Sequence, residues 1–240
     1  MHSALLDKLF DWTIGIVSAL LVSLTLYTAY FGVFPDGLQR SAHLLLIIVL
    51  VYVAALRTLA KTKGTSTLIS SIQKLWIFLV LIAGIIATGH HIVNFDSIND
   101  RWGEITNYEI TFAVILVIAL FDACRRTIGW PIVILASIFI AYGLFGAYLP
   151  DGLAHRGYSM KRVSAQLYLG GGGIFGTPLG VSSTFVTGVV VLGALLEKTG
   201  AGQVLMEFAT GLTGRMRGGP AKAAVVGSSL MGMISGTAVA

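Results

Sequence analysis

Arg215-Met-Arg-Gly-Gly-Pro-Ala-Lys222 leads into the uncharged stretch 223–240, which closes on Gly232-Met-Ile-Ser-Gly-Thr-Ala-Val-Ala240. A basic turn, broken by two glycines and a proline, thus precedes an apolar helix whose far end passes into Ser235, Gly236 and Thr237. A plain membrane anchor does not end on small polar residues at membrane depth. Within hydrocarbon a helix can be interrupted only where its freed amides and carbonyls meet protein, water or an ion, so a broken helix is a candidate binding element. The expectation for 223–240 is the first half of a re-entrant hairpin, with Ala240 reached inside that element.

Outward from this stretch, composition sets the class. Hydrophobic residues make up 55% of the 240 and charged residues 11%, against roughly 25% charged in an average soluble domain. Mean hydropathy is +0.85. About 20 apolar residues cross a hydrocarbon core of about 30 Å, and runs without Asp, Glu, Lys or Arg lie at 12–35, 75–95, 127–150 and 163–196. Residues 41–60 form a further span with Arg57 near one end, and 105–121 another that contains Glu109. The expected fold is an all-α integral membrane protein with about six transmembrane helices, one interfacial helix and the first half of a re-entrant hairpin.

Lysine and arginine in short loops set orientation. With the N-terminus in the cytoplasm, the inner segments hold Lys8, Arg57, Lys61, Lys63, Lys74, Arg125 and Arg126, and the first two outer loops only Arg40 and Arg101. Segment 151–162 runs against this with Arg156, Lys161 and Arg162, which reads as an interfacial helix over 159–169 with its basic face toward lipid phosphates. The net charge of +5 is then mostly a topology signal, and no basic, aromatic-interleaved soluble face suggests nucleic acid. A single cysteine, Cys124, excludes an internal disulfide.

From Gly170 onward small residues take over. Gly172, Gly176, Gly180, Thr184 and Gly188 lie four apart, and Ser228, Gly232 and Gly236 repeat the spacing. Such stripes let backbones approach closely, either as static packing or as a sliding interface lined by Gly172, Gly176, Gly180, Gly188 and Gly232. Catalytic motifs, metal-binding pairs and phosphate loops are missing, so no catalytic residue, cofactor or resident metal is expected. His90 and His91 are adjacent and point about 100° apart on a helix, which suits interfacial polar caps better than ligation of one ion. Glu109 and Asp122 sit near span ends, where charged side chains reach water. What remains is a site of neutral oxygens at Ser235, Gly236 and Thr237, where hydroxyls, carbonyls and a helix end can hold an alkali cation or an anionic substrate group.

Ala165-Gln-Leu-Tyr168, Gly173-Ile-Phe-Gly-Thr-Pro-Leu-Gly-Val-Ser182, Gly193-Ala-Leu-Leu-Glu-Lys-Thr-Gly-Ala-Gly202, Gly214-Arg-Met-Arg-Gly-Gly-Pro-Ala-Lys222 and Ser235-Gly-Thr-Ala-Val-Ala240 follow one another in this order. With Phe121-Asp-Ala-Cys-Arg-Arg-Thr-Ile-Gly-Trp130 and His155-Arg-Gly-Tyr158, they resemble the start of the large permease subunit of TRAP transporters. The likeness extends to fused permeases that work with TAXI-type binding proteins. Residues 1–122 resemble the small permease subunit by span count and lengths, which puts the start of the transport domain at 123–240, to within one helix.

The resemblance implies an elevator-type secondary transporter in a bacterial or archaeal cytoplasmic (inner) membrane. It would import an organic acid or related small solute received from a periplasmic TAXI-type solute-binding protein, driven by Na+ or alternatively H+. In that family the tip at Ser235, Gly236 and Thr237 helps form the cation and substrate site. The family residue that follows, an Asn or Asp, falls after Ala240, so this stretch alone is expected not to transport. Thr237 stands where Ser is common, and Gly170 to Gly173 is richer in glycine than the family pattern. Other readings remain open: a non-transporting membrane scaffold or assembly subunit, a permease of the tripartite tricarboxylate type, and an intramembrane enzyme in which Glu109, Asp122, His90 and His91 converge.

Overall fold

Among the described residues six helical segments are long and apolar enough to cross a membrane: Asp7–Phe31, Asp36–Lys61, Ser70–Val93, Asn107–Thr127, Trp130–Tyr148 and Thr177–Lys198. The computed structural model describes residues 2–61, 67–101, 103–150, 152–214 and 216–235, and the fold is all-helical over the described residues. The helices are α1 (His2–Phe31), α2 (Asp36–Lys61), α3 (Thr67–Val93), α4 (Phe95–Asp100), α5 (Asn107–Thr127), α6 (Trp130–Phe145), α7 (Met160–Tyr168), α8 (Thr177–Val181), α9 (Thr187–Lys198), α10 (Ala201–Thr213) and α11 (Gly219–Ser235). A π-helical turn, Ser182–Val186, joins α8 to α9.

Helix boundaries follow local chemistry. Thr106 and Glu109 form a reciprocal capping box at the start of α5, while Arg125 and Arg126 occupy its last turn, where cations complement the helix dipole. Gly129, at φ 108°, ends that run, and Pro131 opens α6, a position where its missing N–H costs nothing. Ser159 caps α7 by accepting a bond from the Arg162 amide.

The chain divides into two compact units, Met1–Leu21 with Phe34–Gly180 and Val22–Val33 with Val181–Ala240. In the first, α2, α3 and α5 meet over fully buried Ile48, Tyr52, Ile77 and Leu116. Gly84 lets them close: a Cβ there would sit 3.2 Å from Ile48 and 3.5 Å from Ala119. Lipid tails are as apolar as leucine, so such a contact is held by packing and hydrogen bonds rather than by a hydrophobic gain. Accordingly the Tyr52 hydroxyl donates to the Ala119 carbonyl at 2.6 Å. Arg57 pairs with Asp11 of α1. The large apolar side chains of α6, among them Ile134, Leu135, Ile138 and Phe139, stay exposed, as lipid-facing positions do. In the second unit α9, α10 and α11 pack on one another.

The span expected over 163–196 is corrected. Its first part belongs to α7, nine residues long and about 14 Å in rise, too short to cross. A glycine-rich turn follows, and the membrane-length helix starts only at Thr177. Glycine carries almost no hydropathy, so the turn left no gap in a charge-free run. Helices α4 and α10 were not foreseen.

Candidate functional site

Basic turn and α11 are built as the sequence suggests. Gly218 takes φ 74°, which favours glycine, and Pro220 is the second residue of α11. The Gly219 amide bonds the Met216 carbonyl at 2.8 Å and the Lys222 amide the Gly218 carbonyl at 3.1 Å. The helix holds 17 described residues. Its last described residue is Ser235; Gly236 and Thr237 lie outside the described residues.

The glycines at fourfold spacing fall in different settings. Gly172 and Gly176 lie in the turn between α7 and α8, and Gly180 lies in α8, where a Cβ would stand 2.8 Å from Arg40 Nε. Gly188 of α9 lies beside Thr25, whose methyl is 3.8 Å from its Cβ position; Gly232 of α11 has open space there. Because the helix begins at Thr177 and passes through a π-helical turn, spacing by four does not trace one helical face across 172–188.

The turn itself depends on close backbone approach. Amides of Leu169 and Gly170 both bond the Ala165 carbonyl, at 2.9 and 3.1 Å, and the Ile174 amide bonds the Leu167 carbonyl at 2.8 Å. A Cβ on Gly173 would lie 2.2 Å from the Gln166 carbonyl oxygen and 2.4 Å from that of Leu167, so no larger residue fits.

Polar side chains tie this turn to α2 and α3. Tyr168 is fully buried; its hydroxyl donates to the Ala87 carbonyl at 2.7 Å and meets His90 Nδ1 at 3.2 Å. Burial raises its pKa above the ordinary phenol range. His91, 3% exposed, meets Ser41 Oγ at 2.8 Å and stacks on Phe175 at 3.9 Å. Arg40 donates to the Phe175 carbonyl at 3.1 Å and pairs with Asp36 at 2.5 Å. Asp36, Arg40, His91 and Phe175 border an open cleft of about 440 Å³ that also includes Phe95, Asn99 and Gly171.

Three sequence expectations change here. Asp122, 8% exposed, is buried beneath Arg125 and Arg126 rather than water-reaching. His91 is a buried element of the network rather than an interfacial cap. Glu109 is 0% exposed rather than water-reaching, because Arg101 clamps both its oxygens, at 2.5 and 3.1 Å. Thr106 donates to it through amide and hydroxyl as well. The Glu109 contact in turn raises the Arg101 pKa. Thr106-x-x-Glu109 was legible as a capping box; the roles of Arg40, Arg101 and Tyr168 were not.

Glu109 and Asp122 stand 13 positions apart on α5, about 20 Å along the axis, and Asp122 is engaged by Arg125 and Arg126. The acid, base and metal constellation that an intramembrane enzyme needs does not assemble from Glu109, Asp122, His90 and His91. No group of three or more His, Cys, Asp or Glu side chains among the described residues converges as for a metal.

A family model described as tripartite ATP-independent periplasmic transporter, DctM component, matches residues 114–240, more than half of the chain. No curated protein and no solved structure matches it.

Proposed function

The chain belongs to the DctM family of tripartite ATP-independent periplasmic transporters, and from that membership we propose that it imports an organic acid or related solute by ion-coupled elevator transport. Its standing as a multi-pass, TRAP-type permease follows from the family and the six membrane-length helices. The finer reading adds a periplasmic TAXI-type binding protein as partner, Na+ as the coupling ion and a cytoplasmic membrane with the N-terminus inside. It treats 1–122 as a fused small-permease scaffold and 123–240 as the start of the transport domain.

What supports this reading is the family match over residues 114–240, together with α11, which follows a Gly-Gly-Pro turn and leads into Ser235. In this reading Ser235, Gly236 and Thr237 supply hydroxyl and carbonyl oxygens for Na+ and for a carboxylate-bearing solute. The backbone there can change partners without leaving a formal charge in hydrocarbon.

The test is uptake into proteoliposomes by the gene's product, reconstituted with the solute-binding protein encoded beside it. Ser235→Ala is expected to raise the Na+ concentration needed for half-maximal uptake about tenfold, the equivalent of one lost oxygen contact. Unchanged uptake in Ser235→Ala and Thr237→Ala would favour the non-transporting scaffold, and equal uptake with and without Na+ would move the coupling to H+.

A further inference from the structure

At the end of the first unit formed by the close of α5 and the start of α6, a cleft of about 620 Å³ is bordered by Ile72, Gln73, Trp76, Arg125, Arg126 and Trp130. Each of these residues lies within a few positions of the end of a membrane-length segment, which puts the cleft at a membrane–water boundary. Two guanidiniums face one carboxylate there. Arg125 donates to Asp122 Oδ1 at 2.9 Å, and Arg126 to Oδ2 at 2.6 Å and Oδ1 at 3.2 Å. Trp76 adds its indole N–H to Oδ1 at 3.3 Å.

Asp122 thereby accepts four donor contacts, and the two guanidiniums leave one positive charge over. Trp130 lies under the Arg125 guanidinium at 5.5 Å. Tryptophans at this depth are typical of the bilayer interface. From the cleft, exposed Leu75, Leu79 and Ile82 run up α3 at helical spacing, an apolar track toward the membrane interior.

We propose that this cleft binds the headgroup of an anionic phospholipid. Its phosphate diester sits on Arg125 and Arg126, which Asp122 holds in place, its glycerol lies between the two indoles, and one acyl chain follows the Leu75, Leu79 and Ile82 track. Basic pockets at the ends of membrane helices recognise such headgroups, and guanidinium forks match phosphate oxygens in pairs. A soluble phosphate would engage the arginines and leave the apolar track unused.

The experiment is quenching of tryptophan fluorescence by brominated lipids in reconstituted protein, with Trp12→Phe and Trp102→Phe leaving Trp76 and Trp130 as reporters. Brominated phosphatidylglycerol should quench at about a five- to tenfold lower mole fraction than brominated phosphatidylcholine. Arg126→Gln should reduce that preference about fivefold, the weight of one arginine near an anionic surface, and R125Q/R126Q should abolish it. Lys198→Gln, outside the cleft, should leave it intact. Equal quenching by the two lipids overturns the proposal, as does a preference that survives R125Q/R126Q. Reversal of the preference by millimolar inorganic phosphate would assign the cleft to a soluble anion instead. If R125Q/R126Q fails to fold, the lipid comparison and the phosphate competition in the protein with both arginines still decide.

Discussion

Helices α2, α3 and α5 meet over Tyr52, Ile48 and Leu116, whereas α9, α10 and α11 bury small residues such as Ala209 and Ala223. Each of the five carboxylate–guanidinium pairs seen among the described residues belongs to the first unit. In the second, the hydroxyls of Thr210, Thr213 and Ser229 bond back to carbonyls of their own helices and so tie no helix to another. Where lipid competes equally for apolar surface, a contact made of specific bonds has one geometry, while a contact of small, smooth residues has several of similar energy. The first unit is tied by ion pairs and hydrogen bonds between its helices, and the second is packed through small residues.

The contrast can be broken most directly at Arg101. Arg101→Ala leaves the Glu109 carboxylate buried with Thr106 as its remaining donor, and a loss of about 3 kcal/mol is expected. For a chain of this size that is a fall of about 6–12 °C in melting temperature in detergent; a fall under 2 °C would mean that the pair does not hold the first unit.

Next in size is Gly173→Ala. Its Cβ meets two backbone carbonyls rather than a movable side chain, so a loss of about 2–3 kcal/mol is expected, with Tyr168 and Phe175 losing protection in hydrogen exchange or labelling. Tyr168→Phe should cost about 1–2 kcal/mol through the lost hydroxyl bonds. It also has a pH consequence. Because burial raises the folded pKa, the unfolded chain releases this proton first as pH climbs above about 10, so that part of the stability is present below pH 10 and declines above it. Melting temperatures measured from pH 8 to 11 should therefore fall less steeply in Tyr168→Phe than in the unsubstituted chain.

The smallest effect is expected in the second unit. A Cβ at Gly227 of α11 would meet Met206 Sδ at 2.4 Å, yet that atom is the flexible end of a side chain 41% exposed. Alanine there also gains helix propensity of about 1 kcal/mol over glycine. Gly227→Ala should change stability by less than about 0.5 kcal/mol. A loss as large as that of Gly173→Ala would show the two units to be packed alike and would remove the contrast.

Much of this architecture was written locally. Crossing a bilayer depends on about 20 consecutive residues and on a backbone that satisfies its own hydrogen bonds, so membrane-length segments show in composition alone. The same holds for the Gly218-Gly219-Pro220 start of α11, the Ser159 cap of α7 and the Thr106 and Glu109 capping box, each of which acts within one helical turn. The sequence by itself thus determined an all-helical membrane protein and its membrane-length helices. Only the tertiary structure decided that Glu109 is buried, since its partner Arg101 comes from outside α5. Likewise it decided that Arg40 and Tyr168 hold the glycine turn against α2 and α3, and that this turn parts the short helix read at 159–169 from a span that starts only at Thr177. Those outcomes depend on which polar groups meet across the fold, from 8 positions of chain between Arg101 and Glu109 to 135 between Arg40 and Phe175, and hydropathy read along a sequence holds no information about such meetings.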